Sequence, residues 1–154
     1  MKLVTVDRES IFAASLSRVY QHIDKKNVDS WGMITSWREE NSLKKNKANF
    51  KELKSLVKKY GYFYIRGFGQ EEDETGKVKV VEEPTLFIPN IPLEEMRKLQ
   101  KRYNQYGFIW SGIENKDKIK LYTVKGVFNL GKFHPDKIAM FYSKVKGKRF
   151  VFEK

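Results

Sequence analysis

Short β-prone runs alternate with amphipathic segments along most of this sequence. The clearest run is Trp31–Trp37, which is apolar and favours a strand buried on at least one face. Residues 62–68 and 78–88 flank a turn at Thr75-Gly76 and predict two strands of a hairpin, with Pro84 interrupting the second or marking a sheet edge. Further short strands are predicted at residues 2–6, 108–110, 119–124, 127–130 and 149–152.

Four segments between these strands have the start and stop signals of helices. They run from Asp7 to Lys26, from Asn41 or Ser42 to Tyr60, from Pro92 to before Gly107, and from Pro135 to Val145. The resulting order, βαβαββαβββαβ, predicts an α+β fold. We expect a single domain, because 154 residues are too few for two typical ones. Its sheet is expected to be mixed but mostly antiparallel, with about four helices packed against it.

The second helical segment has two distinct faces. Apolar residues at helical spacing predict a buried seam, formed by Leu43, Phe50, Leu53, Val57 and Tyr60. About 100° further round lies a ladder of lysines, Lys44, Lys47, Lys51, Lys54 and Lys58. The ladder is typical of an ordinary solvated face and equally of a ridge that follows the phosphates of a nucleic acid.

The charge of the chain favours partners that are polyanions. Lysine and arginine total 31 against 19 acidic residues, giving a net charge of +12. The excess is uneven, because residues 61–90 carry a run of four acids, Glu71 to Glu74, expected in a solvated loop. No apolar run is long enough to span a membrane, and the first residues do not resemble a signal peptide. We therefore expect no membrane association and a location in the cytoplasm, including that of a host cell, or in a virion.

Polar residues cluster at the predicted ends of strands and helices, where domains of this class often build binding sites. Arg38 and Glu39 follow a strand, and Asn46 lies in the first turns of the next helix. Glu82 and Glu83 lie within the hairpin, and Asn104 and Gln105 end the third helix. We predict a ligand site in which Arg38 grips a phosphate or carboxylate and shares one concavity with Glu83. The alternative is a structural salt bridge between Arg38 and Glu82 or Glu83.

Arg66-Gly67-Phe68-Gly69 resembles the opening of the strand signature of RNA-recognition motifs. Acidic residues follow where that signature requires aromatic and aliphatic ones, and they would repel a nucleic-acid backbone. The aromatic residues Tyr60, Tyr62, Phe63 and Tyr64 are compatible with stacking on bases, although aromatic strands more often contribute to a core.

The sequence favours a binder over a catalyst. There is no cysteine, and neither His22 nor His134 has a partner at the spacing of a metal site or a catalytic pair. We therefore predict no metal, no cofactor and no assigned catalytic residue. An enzyme would have to use Glu82 or Glu83 as general base, Arg38 as anion clamp and His134 as acid.

Several segments in order resemble a family of uncharacterised small proteins from phages and some bacterial genomes. The matching segments are Gly32-Met33-Ile34-Thr35 with Arg38-Glu39, Asn46 with Leu53, Gly61 with Gly67, Glu83 before Leu86-Phe87-Ile88, Tyr103 with Gln105, and Gly131-Lys132-Phe133-His134-Pro135 with Phe141-Tyr142. The resemblance covers most of the chain from residue 30 onward. It implies a phage or mobile-element setting and no particular reaction.

Three functional hypotheses follow. The first is a small phage-type protein that binds nucleic acid or a nucleotide, carried in the virion or acting early in the host. Its ligand contacts would come from Arg38, Glu39, Asn46, Glu83 and Gln105, and its nucleic-acid contacts from the lysine ladder with Arg97 and Lys101, supported by Lys98 and Arg102. The second is an enzyme that processes a nucleotide or nucleic acid. The third is a structural or cargo protein held by contacts with other virion proteins.

Overall fold

The computed structural model describes residues 28–72, 74–112 and 119–131. The elements in order are β1 (Trp31–Thr35), α1 (Leu43–Val57), a 3-10 turn (Lys58–Tyr60), β2 (Phe63–Glu72), β3 (Val78–Pro89), α2 (Leu93–Arg102), β4 (Gly107–Ser111), β5 (Ile119–Thr123) and β6 (Gly126–Gly131). Neither α-helix in this part of the chain is long and apolar enough to cross a membrane.

The six strands form one sheet in the order β2-β3-β1-β4-β5-β6, and every neighbouring pair is antiparallel. β1 and β2 run parallel but are separated by β3, and β3 and β4 run parallel but are separated by β1. Each helix therefore connects two parallel strands across an antiparallel one. From β1 to β4 this is the β-α-β-β-α-β arrangement of ferredoxin-like folds, extended beyond β4 by β5 and β6. That arrangement supports many unrelated functions and assigns none.

Two parts of the predicted fold class are wrong. The sheet is antiparallel throughout the described residues and is not mixed, because the β2–β3 hairpin places β3 between the parallel strands. The described residues contain two α-helices instead of about four. The helices predicted at 7–26 and 135–145, and the strands predicted at 2–6 and 149–152, lie outside the described residues. An α+β class remains compatible with an antiparallel sheet that carries helices on one face.

The core lies between the two helices and the sheet. α1 contributes Phe50, Leu53 and Val57, and α2 contributes Met96 and Leu99. The sheet contributes residues that alternate along its strands, namely Ile34, Leu86, Ile88, Phe108 and Tyr122. We call this side of the sheet the helix face.

The opposite side, the rear face, is also buried. Trp31 stacks on Phe87 with ring centroids 5.0 Å apart, and both side chains are almost inaccessible to solvent. Met33, Ile109 and Leu121 share this face through the strand register and are also buried. The central strands are apolar on both faces, which explains the continuous apolar run at residues 31–35.

Pro84 neither interrupts β3 nor marks an edge, because β3 continues through it between β2 and β1. The Pro84 carbonyl accepts a hydrogen bond of 2.6 Å from Thr35 Oγ1, so the backbone of Pro84 faces β1 at this position. Since β1 ends at Thr35, no ladder partner there requires the N–H that proline lacks.

The buried seam of α1 differs from the predicted one at both ends. Phe50, Leu53 and Val57 are buried as predicted, but Leu43 is 60% exposed and Tyr60 is half-buried. Leu43 is the first residue of the helix, directly after the N-cap Ser42, and lies beyond the edge of the core. Asn46 occupies the buried position one turn before Phe50.

Candidate nucleic-acid interface

Arg38 lies in the loop between β1 and α1, where its guanidinium group is already engaged. Nε and Nη2 donate to the two carboxylate oxygens of Glu40 at 2.9 Å each, which is a bidentate pair. Nη1 donates to the backbone carbonyl of Asn104, just beyond the C-terminus of α2. Arg38 therefore ties the β1–α1 loop to the end of α2, and an incoming anion would have to displace Glu40.

The Arg38–Glu40 ion pair shifts the pKa of each partner in the direction that favours its charged form. The hydrogen bond from Arg38, together with one from the backbone of Glu40 itself, lowers the pKa of the Glu40 carboxyl to about 2. The same hydrogen bond with Glu40 raises the pKa of Arg38. Both shifts favour the charged forms that the ion pair requires.

The amides of Asn46 and Gln105 bind backbone groups. Asn46 Oδ1 accepts from the Arg38 N–H at 3.0 Å, and its Nδ2 donates to the Arg38 carbonyl at 2.8 Å. Gln105 Nε2 donates to the Trp37 and Tyr103 carbonyls at 3.1 and 3.3 Å. These amides hold the loop and the helix end together. We call Arg38, Glu40, Asn46, Asn104 and Gln105 the Arg38 cluster.

The way in which α2 ends explains the positions of Asn104 and Gln105. Asn104 has a φ of 49°, a left-handed conformation that asparagine tolerates better than most residues. The Gln105 N–H donates to the Gln100 carbonyl at 2.9 Å, and the Asn104 N–H donates to the Lys101 carbonyl at 3.2 Å. These two bonds form a Schellman motif. It turns the chain so that the Asn104 carbonyl faces Arg38.

Of the predicted ligand site, the structure brings together Arg38, Asn46 and Gln105. Glu39 is exposed in the loop. Glu83 is 6% exposed and, by the β3 register, shares the rear face with Thr85 and Phe87. The structure does not bring Glu83 to Arg38, which lies on the side of the helices.

The predicted salt bridge from Arg38 to Glu82 or Glu83 is replaced by one to Glu40, two residues along the chain. His134, the acid of the enzyme hypothesis, lies outside the described residues.

The lysine ladder forms a continuous basic flank of α1 that we call the lysine ridge. Lys44, Lys47, Lys51 and Lys58 are exposed, and Lys54 is half-buried. The Lys54 ammonium lies over the Phe50 ring, 5.0 Å from its centroid. The sequence of α1 contains a single acidic residue, Glu52, and it does not lie on the ridge.

Glu52 marks the opposite flank of α1, which contacts α2. Its carboxylate accepts from Arg102 Nε at 2.8 Å and from the Tyr103 hydroxyl at 2.9 Å. The hydrogen bond from Arg102, with a second from Tyr103, lowers the pKa of Glu52. The acid of this helix is thus paired with α2 and does not face the lysine ridge.

Arg97 and Lys101 do not extend the lysine ridge. Both are exposed on α2, but the Arg97 guanidinium lies 5.5 Å from the ring centroid of Tyr122 on β5. Arg97 therefore faces away from α1, and α2 lies between it and the ridge. The two groups of basic residues predicted to act together lie on different flanks of the helical layer.

One exposed tyrosine, Tyr64, borders the lysine ridge, and a second, Tyr62, lies two residues before it in the chain. Tyr64 on β2 pairs with Leu86 in the strand register, which places it on the helix face. Its ring packs edge-on against Phe50, with centroids 6.1 Å apart. Tyr64 and Lys54 thus contact the same Phe50 ring. Tyr62 and Tyr64 are 38% and 49% exposed, and β2 is the outermost strand of the described sheet. The lysine ridge with Tyr62 and Tyr64 is the basic–aromatic edge.

The rear face cannot act as the open sheet surface of an RNA-recognition motif, whose aromatics stack on bases. Its central aromatic residues, Trp31 and Phe87, are 5% and 0% exposed. Arg66-Gly67-Phe68-Gly69 lies on the outermost strand β2, followed by the acidic end of that strand. Glu71 and Glu72 belong to β2 and not to the predicted loop.

A cavity of about 290 Å³ separates the C-terminal part of α1 from α2. It is lined by Leu56, Val57, Lys59, Tyr60, Ile91, Glu95, Lys98, Leu99 and Arg102. Lys98 lies 3.3 Å from Glu95, Arg102 is bound to Glu52, and Lys59 lies over the Tyr60 ring. A nucleotide would have to compete with these internal contacts, so the cavity is a weaker anion site than the lysine ridge.

Within the described ranges no group of three or more histidine, cysteine or acidic side chains is arranged to hold a metal ion. No family model, curated protein or solved structure matches this chain. The resemblance to uncharacterised phage and bacterial proteins stays a prediction.

Proposed function

We propose that this protein binds nucleic acid through the basic–aromatic edge. The observation that carries the proposal is a helix flank on which lysines repeat every turn, while the acid of that helix is neutralised on the other flank. Lysines three or four residues apart follow one another at about 5 Å along a helix, so they present a row of ammonium groups to the phosphates of a nucleic acid. A phage or mobile-element setting, in a host cell or a virion, belongs to this proposal through the family resemblance.

Binding of this kind depends on salt. Each neutralised phosphate releases counterions, so the logarithm of the affinity falls linearly with the logarithm of the salt concentration. The slope per contact is about −0.9 for duplex DNA and about −0.7 for single strands. Little base preference is expected, because phosphates carry no sequence information.

Fluorescence anisotropy with labelled DNA, at about 50 to 200 mM salt, tests the proposal. Replacing Lys44, Lys47 and Lys51 with glutamine should weaken binding and reduce the magnitude of the slope by about 2 to 3. The matched control replaces Lys98, Lys101 and Lys125 with glutamine, which removes the same number of positive charges away from the lysine ridge. Most of the salt dependence of the affinity should remain in this variant. Equal losses in the two triple variants would show a general charge effect. Absence of binding at about 50 mM salt would refute nucleic-acid binding altogether.

A further inference from the structure

The basic–aromatic edge combines two features that bind different parts of a nucleic acid. Lysine ammonium groups attract phosphates whether the bases are paired or not. Exposed aromatic rings contribute only when bases are unpaired and free to stack on them. Resting on the proposed function, we infer that the ligand of this edge is an unpaired, extended strand with bases stacked on Tyr62 and Tyr64.

The first argument is how the ring of Tyr64 is held. Tyr64 projects from a paired strand and packs edge-on against Phe50, which belongs to the buried seam of α1. Its side chain is therefore supported by the core while about half of it remains exposed. A supported ring loses little conformational freedom when a base stacks on it.

The second argument is spacing. Tyr62 directly precedes β2 and Tyr64 is its second residue, so an extended chain separates their Cα atoms by about 6.6 Å. Stacked bases in a duplex follow one another at about 3.4 Å. The two rings are therefore too far apart for adjacent stacked bases, and they suit successive bases only of a strand that is extended and unstacked.

The third argument is the charge distribution along β2. Tyr64 lies near the start of β2 beside the lysine ridge, while Glu71 and Glu72 lie at the other end of the strand. Glu71 is seven positions after Tyr64, which is about 23 Å along the strand. Carboxylates at the far end of β2 would repel the phosphates of a bound strand. The nucleic acid is therefore expected to contact only the end of β2 near Tyr64, so the bound segment is short.

The experiment compares a labelled oligothymidine with a duplex of equal length at about 50 mM salt. Replacing Tyr62 and Tyr64 together with leucine should weaken oligothymidine binding at least fivefold per ring, with an unchanged salt slope. Duplex affinity should change little. The Tyr62→Phe, Tyr64→Phe variant keeps both rings and should bind the oligothymidine like the parent protein.

Circular dichroism and thermal unfolding check that the variants fold. If the double leucine variant is unfolded, Tyr62→Leu alone provides the test, because Tyr62 lies outside β2. Unchanged oligothymidine binding in the folded leucine variant, with binding still reduced by loss of the ridge lysines, would overturn the single-strand inference and leave the proposed function intact. Equal loss of duplex binding would also overturn it. Absence of any DNA binding by the parent protein would instead remove the proposed function.

Discussion

Asn46, in the lysine-rich helix α1, has a structural role: its side chain binds the backbone of the preceding loop. It lies on the buried seam of α1 and is 4% exposed. Its amide satisfies both the N–H and the carbonyl of Arg38, a residue in the preceding loop. Hydrophobic periodicity identifies the seam but does not show that a polar side chain there is paired with backbone.

Replacing Asn46 with alanine should therefore destabilise the fold. The substitution leaves two partly buried backbone groups of Arg38 without these partners, at a cost of about 2 to 3 kcal/mol. Denaturant unfolding should show a lower midpoint with an unchanged slope. Asn49→Ala, three residues along the same helix, is the control and should change the free energy of unfolding by less than about 0.5 kcal/mol. Equal effects of the two substitutions would contradict the role assigned to Asn46.

The Arg38–Glu40 pair should make stability depend on pH in acid. Because the pKa of Glu40 is lowered to about 2, the pair contributes stability above the ordinary glutamate value near 4.5. That contribution is lost as the pH falls through the folded pKa. The Glu40 side chain is 65% exposed, so solvent screening limits the contribution to about 0.5 to 1 kcal/mol.

Measuring the free energy of unfolding of Glu40→Gln against pH tests this expectation. The variant should be less stable than the parent protein at neutral pH, and the difference should shrink between about pH 4.5 and pH 2. Glu74→Gln, at an exposed turn position, is the matched control that removes a carboxylate elsewhere. If the difference in the free energy of unfolding did not change with pH, ionisation of Glu40 would contribute nothing to stability.

At the scale of elements, β1 is the strand on which both halves of the sheet depend. It pairs with β3 on one side and β4 on the other, and α2 packs across it. Close packing needs Gly32, because a Cβ there would lie 2.6 Å from Met96 Sδ and 2.7 Å from Met96 Cε. Met96 is fully buried and has little space into which to move.

We therefore expect Gly32→Ala to cost about 1 to 3 kcal/mol through overpacking. In the Met96→Ala background the same substitution should cost less, because the atoms it would strike are absent. A double-mutant cycle measures this difference, with an expected coupling of about 0.5 to 3 kcal/mol. Additive costs would show that the added methyl group strains the backbone of β1 and not the contact with α2.

At the scale of the whole molecule, the basic residues of the described ranges lie on separate surfaces. The lysine ridge faces the β2 edge, while Arg97 lies over β5 beyond α2. Glu52 and Arg102 meet between the two helices, where their charges cancel. A count of charges favours polyanion binding, but the packing of α1 beside α2 is what keeps the acid of α1 away from the lysine ridge.

Much of the local structure was predictable from the sequence because it depends on neighbours along the chain. Short β-prone runs identified the strands that became β1 to β6, and helical patterns identified α1 and α2, together with Phe50, Leu53 and Val57 of the core. Turn chemistry identified the β2–β3 connection. The same reasoning was wrong about Leu43, because a helical pattern does not show where the core ends.

The order of the strands and the composition of the sites depended on the tertiary structure. β3 lies between β1 and β2, which made the sheet antiparallel and placed Glu83 on the face opposite the helices. Arg38 binds the end of α2, 66 residues further along the chain, and Tyr64 reaches Lys54 through a shared contact with Phe50. Sequence periodicity reports which residues of one element share a face. Which faces meet is decided by the burial and pairing of residues that are distant in sequence, and that is why the basic–aromatic edge became visible only in the folded chain.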